Sequence, residues 1–352
     1  MTRRFRLISV AGLCTCVAGV TLAATAARAY DAEYVFGDSL SDNGNAAETS
    51  NDPYPYPPSY HYAYTNGPVA VAVLAQSLGL PALEPSLWAT NFTDVSGLFP
   101  PGFTPGTNYA FAGATANMVG YANFNWNLPQ QVSAYTAHVG NVADPSALYV
   151  IMIGGNDVIN ATTTGLTDGY LTAGVTSEIA QITTLAADGA RNFLIVDVPN
   201  VGLIPLLSGI PGAPALATSY SQFYDATLQT QLDGLALPAG DTLHEFNLYD
   251  YNAAILANAG SYGFTNTTEP CYSNAPATDT STTGCSLSNI DSFIYWNDVH
   301  PTGAVQALWA QGMEQAVPEP TTWSMLIIGF VGTGLMGLRS ARKGRAPYAS
   351  SI

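Results

Sequence analysis

Ser39 stands in the turn Gly37-Asp38-Ser39 that follows the short β-branched and aromatic run Ala32 to Phe36. A run of that kind reads as a strand, and in an α/β sheet ligands bind outside the carboxyl ends of the strands. A hydroxyl placed there is positioned for nucleophilic chemistry, and Gly37 lets the backbone leave the sheet tightly. A serine hydroxyl is a weak nucleophile until a base takes its proton, so the chemistry also needs a histidine or a comparable group from elsewhere in the chain. The same residues have a plainer reading, in which Ser39 and its Asp and Asn neighbours cap the next helix. Taken alone, the turn leaves both readings open.

The block around Ser39 and three later segments bear on the choice. Ser39 lies in Gly37 to Asn45, GDSLSDNGN, which resembles the first block of the GDSL, or SGNH, family of esterases and lipases. Thr107 to Gly113 (TNYAFAG), Gly154-Gly155-Asn156-Asp157, and Trp296 with His300-Pro301-Thr302 resemble the later blocks in the family's order. The resemblance covers about residues 32 to 315. It implies Ser39 as nucleophile, His300 as general base, and an oxyanion held by the N–H groups of Ser39 and Gly113 and by the Asn156 side chain. One position departs from the pattern: three residues before His300 the family has Asp, and this chain has Asn297. Asp298, one residue later, is the acid that could turn inward and orient the imidazole; the alternatives are Asn297 itself, accepting the imidazole N–H through its side-chain oxygen, or no third member at all. The implied activity is that of a secreted carboxylic-ester hydrolase with no cofactor and no metal. Its substrate would be a small ester, a lipid or an acylated polysaccharide, the last making it an O-deacetylase. A matrix or adhesion protein on a lapsed hydrolase fold is the rival from another class.

These residues must be positioned by a framework, and the chain supplies one. Strand-like runs at 32–36, 107–113, 147–153, 192–198 and 242–249 alternate with helical stretches at about 68–78, 171–187, 216–235 and up to Gln315. Alternation of this kind means βαβ units and a parallel sheet. The resemblance implies a three-layer α/β/α sandwich whose five-stranded parallel sheet has the flavodoxin-like order 2-1-3-4-5. That order makes the strands ending at Gly113, Ser39 and Asn156 neighbours. No linker interrupts residues 30–316, which read as one domain. The tyrosine- and proline-rich stretch Tyr54 to Tyr64 and the stretch Asn117 to Asn127 are candidate walls of a cleft.

Charge narrows the partners. Between Tyr30 and Val317 a single cation, Arg191, faces 24 carboxylates, a formal charge of −23. Such a surface repels phosphate backbones and anionic headgroups, which excludes nucleic acid and favours a neutral substrate. The two ends carry the other cations. Residues 1–29 have Arg3, Arg4 and Arg6, an apolar stretch and Ala27-Arg28-Ala29, the pattern of a signal peptide. Residues 317–345 contain Pro318-Glu319-Pro320, an apolar run at 323–338 and the basic string RSARKGR, followed by a short tail, 346–352. This resembles the PEP-CTERM sorting signal, which implies processing by signal peptidase and an exosortase-type protease. It also implies only transient membrane contact and an exported, periplasmic or surface location in a Gram-negative bacterium. Removal of the leader leaves two cysteines, Cys271 and Cys285. An even count in an oxidising compartment predicts a disulfide, with a metal site the weaker alternative because the histidines are scattered.

Overall fold

Short apolar runs, too short for helices and bounded by glycine, proline or polar turns, become the central strands of the main sheet. The computed structural model describes residues 29–50, 58–91, 103–117, 126–272 and 284–317. Strands β1 (Glu33–Gly37), β2 (Leu148–Met152), β3 (Asn192–Val196) and β4 (Thr242–Phe246) form a parallel sheet in the order β1-β2-β3-β4. The register is unbroken, with Gly37 opposite Met152, Met152 opposite Val196 and Val196 opposite Phe246. All five residues of β2 are buried, as expected of a strand covered on both faces.

The helices are α1 (Asn45–Ser50), α2 (Ala70–Ser77), α3 (Trp88–Asn91), α4 (Leu128–His138), α5 (Gly155–Thr164), α6 (Asp168–Asp188), α7 (Pro205–Ser208), α8 (Ala213–Asp233), α9 (Leu248–Ala257) and α10 (Gly303–Ala316). Helices α4, α5, α6 and α8 pack among themselves, and α10 packs on α2 and α9. Two helical groups around a parallel sheet give the expected three-layer α/β/α architecture.

The expected edge strand at 107–113 differs in kind. Its backbone does lie parallel along the free edge of β1: Val35 N–H donates to Thr107 O at 3.0 Å, Tyr109 N–H to Val35 O at 2.7 Å and Phe111 N–H to Gly37 O at 3.1 Å. It does not grow into a regular strand, because side chains take part of its hydrogen bonding. Asn108 Oδ1 accepts from Ala110 N–H at 3.0 Å, and Asn45 Nδ2 donates to the carbonyls of Asn108 and Ala110, both at 2.8 Å. The regular sheet therefore has four strands, with this segment in the position expected of the fifth.

Further differences have simple causes. The last strand of the sheet stops at Phe246 rather than Tyr249, because Asn247 accepts from Asp250 N–H at 2.7 Å and starts α9. Two short strands not expected from sequence, β5 (Asn266–Pro270) and β6 (Phe293–Tyr295), pair in parallel beside the last loop. Cys271 and Cys285 form the disulfide, in a small apolar cluster with Ile290, Phe293 and Trp296. The leader, the sorting-signal residues from Pro318 onward, Tyr54 and Tyr56, and most of the Asn117 to Asn127 stretch lie outside the described residues. Gly37 serves a different purpose from an unusual turn: a Cβ there would collide with the carbonyl oxygen of Met152, so the close pairing of β1 and β2 at their carboxyl ends requires glycine.

Several carboxyls are buried within this frame. Both oxygens of Glu33, one oxygen of Glu178 and one of Asp225 have no hydrogen-bond partner. Burial raises the Glu33 carboxyl well above the usual range, Glu178 to about 8 and Asp225 to about 9. These groups hold protons in the folded protein that the unfolded chain releases above about pH 4, so their contribution to stability is full below that point and is lost as pH rises through 8 and 9. We expect Tm to fall by at least about 5 °C between pH 6.5 and 9, measured by calorimetry, with Glu178→Gln flattening the slope. A Tm independent of pH over that range would contradict the assignment of neutral carboxyls.

Candidate active site

Residues 38–45 do two jobs at the end of β1. Ser39 occupies the turn, and the residues after it sew the neighbouring edge segment to that turn. Asp42 Oδ1 accepts from the N–H groups of Gly44 and Asn45 at 2.8 and 2.7 Å, which starts α1. Its Oδ2 accepts from Ala46 N–H at 3.1 Å and reaches across to Ala112 N–H at 2.8 Å. Asn108 Nδ2 donates back to Ser41 O at 2.7 Å. Gln131 from α4 pairs with both backbone groups of Gly37 at 2.8 Å. The Gly113 turn is thereby fixed beside Ser39.

Gly113 has φ +81° in the turn closed by Ala114 N–H donating to Phe111 O, and a Cβ there would meet open space. The glycine is needed for its left-handed backbone. Asn156, on the first turn of α5, donates one amide hydrogen to Ala114 O at 2.9 Å. That bond aims the amide, and its second hydrogen is left for another acceptor.

The histidine comes from the other end of the chain. His300 Nε2 lies 2.7 Å from Ser39 Oγ, across 261 residues of sequence. Both are buried, each 8 % exposed. The loop that carries His300 is tied down repeatedly: Trp296 N–H donates to His300 O at 2.8 Å, Thr302 Oγ1 to Phe293 O at 2.8 Å, and Gly303 N–H to Asn66 Oδ1 at 2.8 Å. Gly67 and Gly303 meet backbone to backbone, and Gln306 accepts from Ala70 N–H at 2.8 Å. The Asn66-Gly67 stretch before α2 thus anchors the start of α10.

Of the two residues weighed for orienting the ring, Asn297 is the one whose side chain the structure places against His300 Nδ1. Asn297 Oδ1 lies 2.9 Å from His300 Nδ1, and the same oxygen accepts from the N–H groups of Val299 at 3.0 Å and His300 at 2.7 Å. Asp298 is only partly buried, and its carbonyl accepts from Leu206 N–H at 2.8 Å. The loop accounts for this: an oxygen two or three residues before its donors closes an Asx turn, and Asn297 Oδ1 closes one while lying against the ring. The two backbone donors also settle which end of the amide faces His300, since an NH₂ group there would oppose two N–H groups. Nδ1 must then carry the proton, and Nε2 is free to accept from Ser39. The wrong-tautomer penalty that makes an Asp→Asn change so costly in a chymotrypsin-type triad is removed by the backbone.

What Asn297 lacks is charge. Burial lowers the His300 pKa to about 3, so the ring is neutral and ready to act as a base. The imidazolium formed during attack must then be supported by something other than a carboxylate on Nδ1. Tyr64 presents its ring to His300 with centroids 4.9 Å apart at 41°, within the range of a cation–π contact. Tyr64, Asn66, Gln131 and Gln306 were not singled out from sequence for these roles. Tyr64 lies in the tyrosine-rich stretch read as a candidate cleft wall, whereas Gln131 and Gln306 had only their polarity beside apolar helical faces as a signal.

Residues 34–313 match the model of the GDSL-like lipase/acylhydrolase family. The chain belongs to that family. It is 25 % identical over 340 residues to a GDSL esterase/lipase of Arabidopsis thaliana, covering 84 % of this chain and 90 % of that one. It is 27 % identical over 359 residues to Esterase EstA of Pseudomonas aeruginosa, covering 95 % of this chain and 53 % of that protein. With Lipase 1 of Photorhabdus luminescens the identity is 33 % over 181 residues, 51 % of this chain and 24 % of the relative. The chain therefore spans about a quarter of that lipase and about half of EstA.

In this GDSL family member, Asn297→Asp should raise kcat for p-nitrophenyl acetate by about tenfold or more, as a carboxylate on Nδ1 is worth up to about 10⁴ in a chymotrypsin-type triad. The acid limb of kcat/KM should move to higher pH, because a negative neighbour favours the imidazolium. Asp298→Ala should change kcat by less than about threefold. Tyr64→Leu should lower kcat by about three- to tenfold, the range of a partly desolvated cation–π contact, while Tyr64→Phe retains it. Steady-state kinetics with pH profiles decide each point; a severe loss in Asp298→Ala with no gain in Asn297→Asp would return the orienting role to Asp298.

Proposed function

We propose that this protein is an exported serine carboxylic-ester hydrolase that works through an acyl-enzyme on Ser39. The observation that carries the reading is the buried relay from Ser39 Oγ to His300 Nε2 at 2.7 Å and from His300 Nδ1 to Asn297 Oδ1 at 2.9 Å. In the first step Ser39 Oγ attacks the ester carbonyl carbon as its proton passes to Nε2. The carbonyl oxygen becomes an oxyanion, taken up by the N–H groups of Ser39 and Gly113 and the free amide hydrogen of Asn156. Collapse of the tetrahedral intermediate breaks the ester bond, and the imidazolium returns its proton to the leaving alcohol. Water then repeats the sequence on the acyl-enzyme and releases the carboxylic acid. No metal or cofactor enters these steps.

A formal charge of −23 on residues 30–317 makes neutral esters the fitting substrates, whether small, lipidic or carried on an acylated polysaccharide. A matrix or adhesion role would leave the fully connected relay without a purpose. We further infer that residues 1–29 are removed by signal peptidase. On the same reading 317–345 form a sorting signal cut by an exosortase-type protease, so that the mature domain is about 30–316.

Two measurements test the reading. Ser39→Ala and His300→Ala should each remove most hydrolysis of p-nitrophenyl acetate, and the double variant should be scarcely worse than either single one, as residues acting as a unit are non-additive. A serine-reactive phosphonate should label Ser39 and no other residue. More than a few per cent of activity in Ser39→Ala would end the covalent mechanism. Replacing Pro318, Glu319 and Pro320 should leave the protein unprocessed in its host while the domain stays active; normal processing of that variant would refute the sorting signal.

A further inference from the structure

Ser39 and Asn156 share the wall of a cavity of about 50 Å³ that the mechanism above does not use. Apart from these two, the lining is dominated by Leu40, Ile159, Val201, Ile294, Val305 and Trp309. The polar groups that border it are already committed. Asn252 Oδ1 accepts from Trp309 Nε1 at 3.1 Å, Asn200 Oδ1 accepts from Gly202 N–H at 3.0 Å and from Thr218 at 2.9 Å, and Asp38 Oδ1 accepts from Leu40 N–H at 2.9 Å. The cavity therefore presents a mostly apolar wall to an apolar chain, and it begins at the nucleophile.

We propose that this cavity is the acyl subsite and that it buries about four carbons of the acyl chain and no more. The proposal rests on the ester-hydrolase reading and adds the substrate class: esters of short-chain acids, of four to five carbons. The size follows from the volume. A water needs about 10–15 Å³ on this measure, so the cavity accommodates a chain of about four water-sized groups, which a methylene approximates. An acetyl group leaves most of it unfilled. A long fatty acyl chain exceeds this volume. The three substrate readings left open by the sequence are thus separated by chain length, because a deacetylase has its optimum at two carbons and a lipase at eight or more.

The test is the change in kcat/KM per methylene along p-nitrophenyl esters from acetate to decanoate. Each methylene moved from water into apolar surroundings is worth about fourfold. The expected profile rises by tenfold or more from acetate to butanoate and then levels or falls from hexanoate onward. A maximum at acetate, or gains that continue through octanoate and decanoate, would overturn the proposal. Ile159→Ala, at a partly exposed position of α5, should move the break one or two carbons later. An unmoved break in that variant, with circular dichroism unchanged, would also overturn it. Absence of turnover on every ester would instead sink the hydrolase reading, and the cavity is then judged without turnover by calorimetry on Ser39→Ala. Binding of butanamide with no tighter binding of octanamide supports the subsite; octanamide tighter by fourfold per methylene, or no binding of either, overturns it.

Discussion

A hydroxyl proton passes to a neutral imidazole only across a hydrogen bond, and here that bond must join residues 261 positions apart in the chain. The sheet brings one partner, because a serine in the turn after β1 emerges at the carboxyl edge without further instruction. The other partner depends on a loop with no regular ladder of its own. It is held by side chains that accept from backbone: Asn66 at Gly303, Gln306 at Ala70 and Asn297 at its own turn. Each bond replaces water on an otherwise orphaned N–H, so the ring is placed by satisfying the backbone rather than by packing alone.

The same economy explains the neutral third member. An Asx turn needs an oxygen at position 297 and is indifferent to charge, since Asn and Asp both supply it. With Asn the imidazole keeps its orientation and tautomer, but it is a ring in a dry site with a low pKa, so the energy of forming the imidazolium falls on the oxyanion beside it and on the Tyr64 ring. Tyr64 in turn packs against the cluster that contains Cys271 and Cys285. The disulfide thus braces one wall of the catalytic loop, although it lies in a segment whose sequence reads only as polar loop.

The fold was legible where burial is uniform. The runs that became β2 and β3 are continuous apolar stretches, and no other element fits five such residues between helices. Legibility failed where side chains do the work of backbone. Residues 107–113 carry a strand-like pattern, but Asn108 and Asn45 compete for their hydrogen bonds, and no periodicity reports such competition. Ser39 and His300, which the structure brings within 2.7 Å, could be singled out because each sits at the end of an element in a family block. The choice between Asn297 and Asp298 was not legible, because sequence reports charge and not turn geometry, and it is the turn that sets Asn297 Oδ1 against the ring. Gln131 and Gln306 were invisible, since a glutamine facing a distant backbone looks the same in sequence as one facing water.

Arg191 bonds Asp241 through both carboxylate oxygens at 3.0 and 3.2 Å, and this is the only salt bridge among the described residues. The remaining surface acids of a domain with a formal charge of −23 repel one another without internal relief. Dissolved cations supply what the sequence omits. Raising ionic strength shortens the Debye length to about 8 Å at 0.15 M and weakens that repulsion while costing almost no attractive pairs. The folded protein is in this sense a polyanion whose counter-ions belong to its stability: it gains from salt where a domain laced with surface ion pairs would lose. Dilution into fresh water strains it more than brine does.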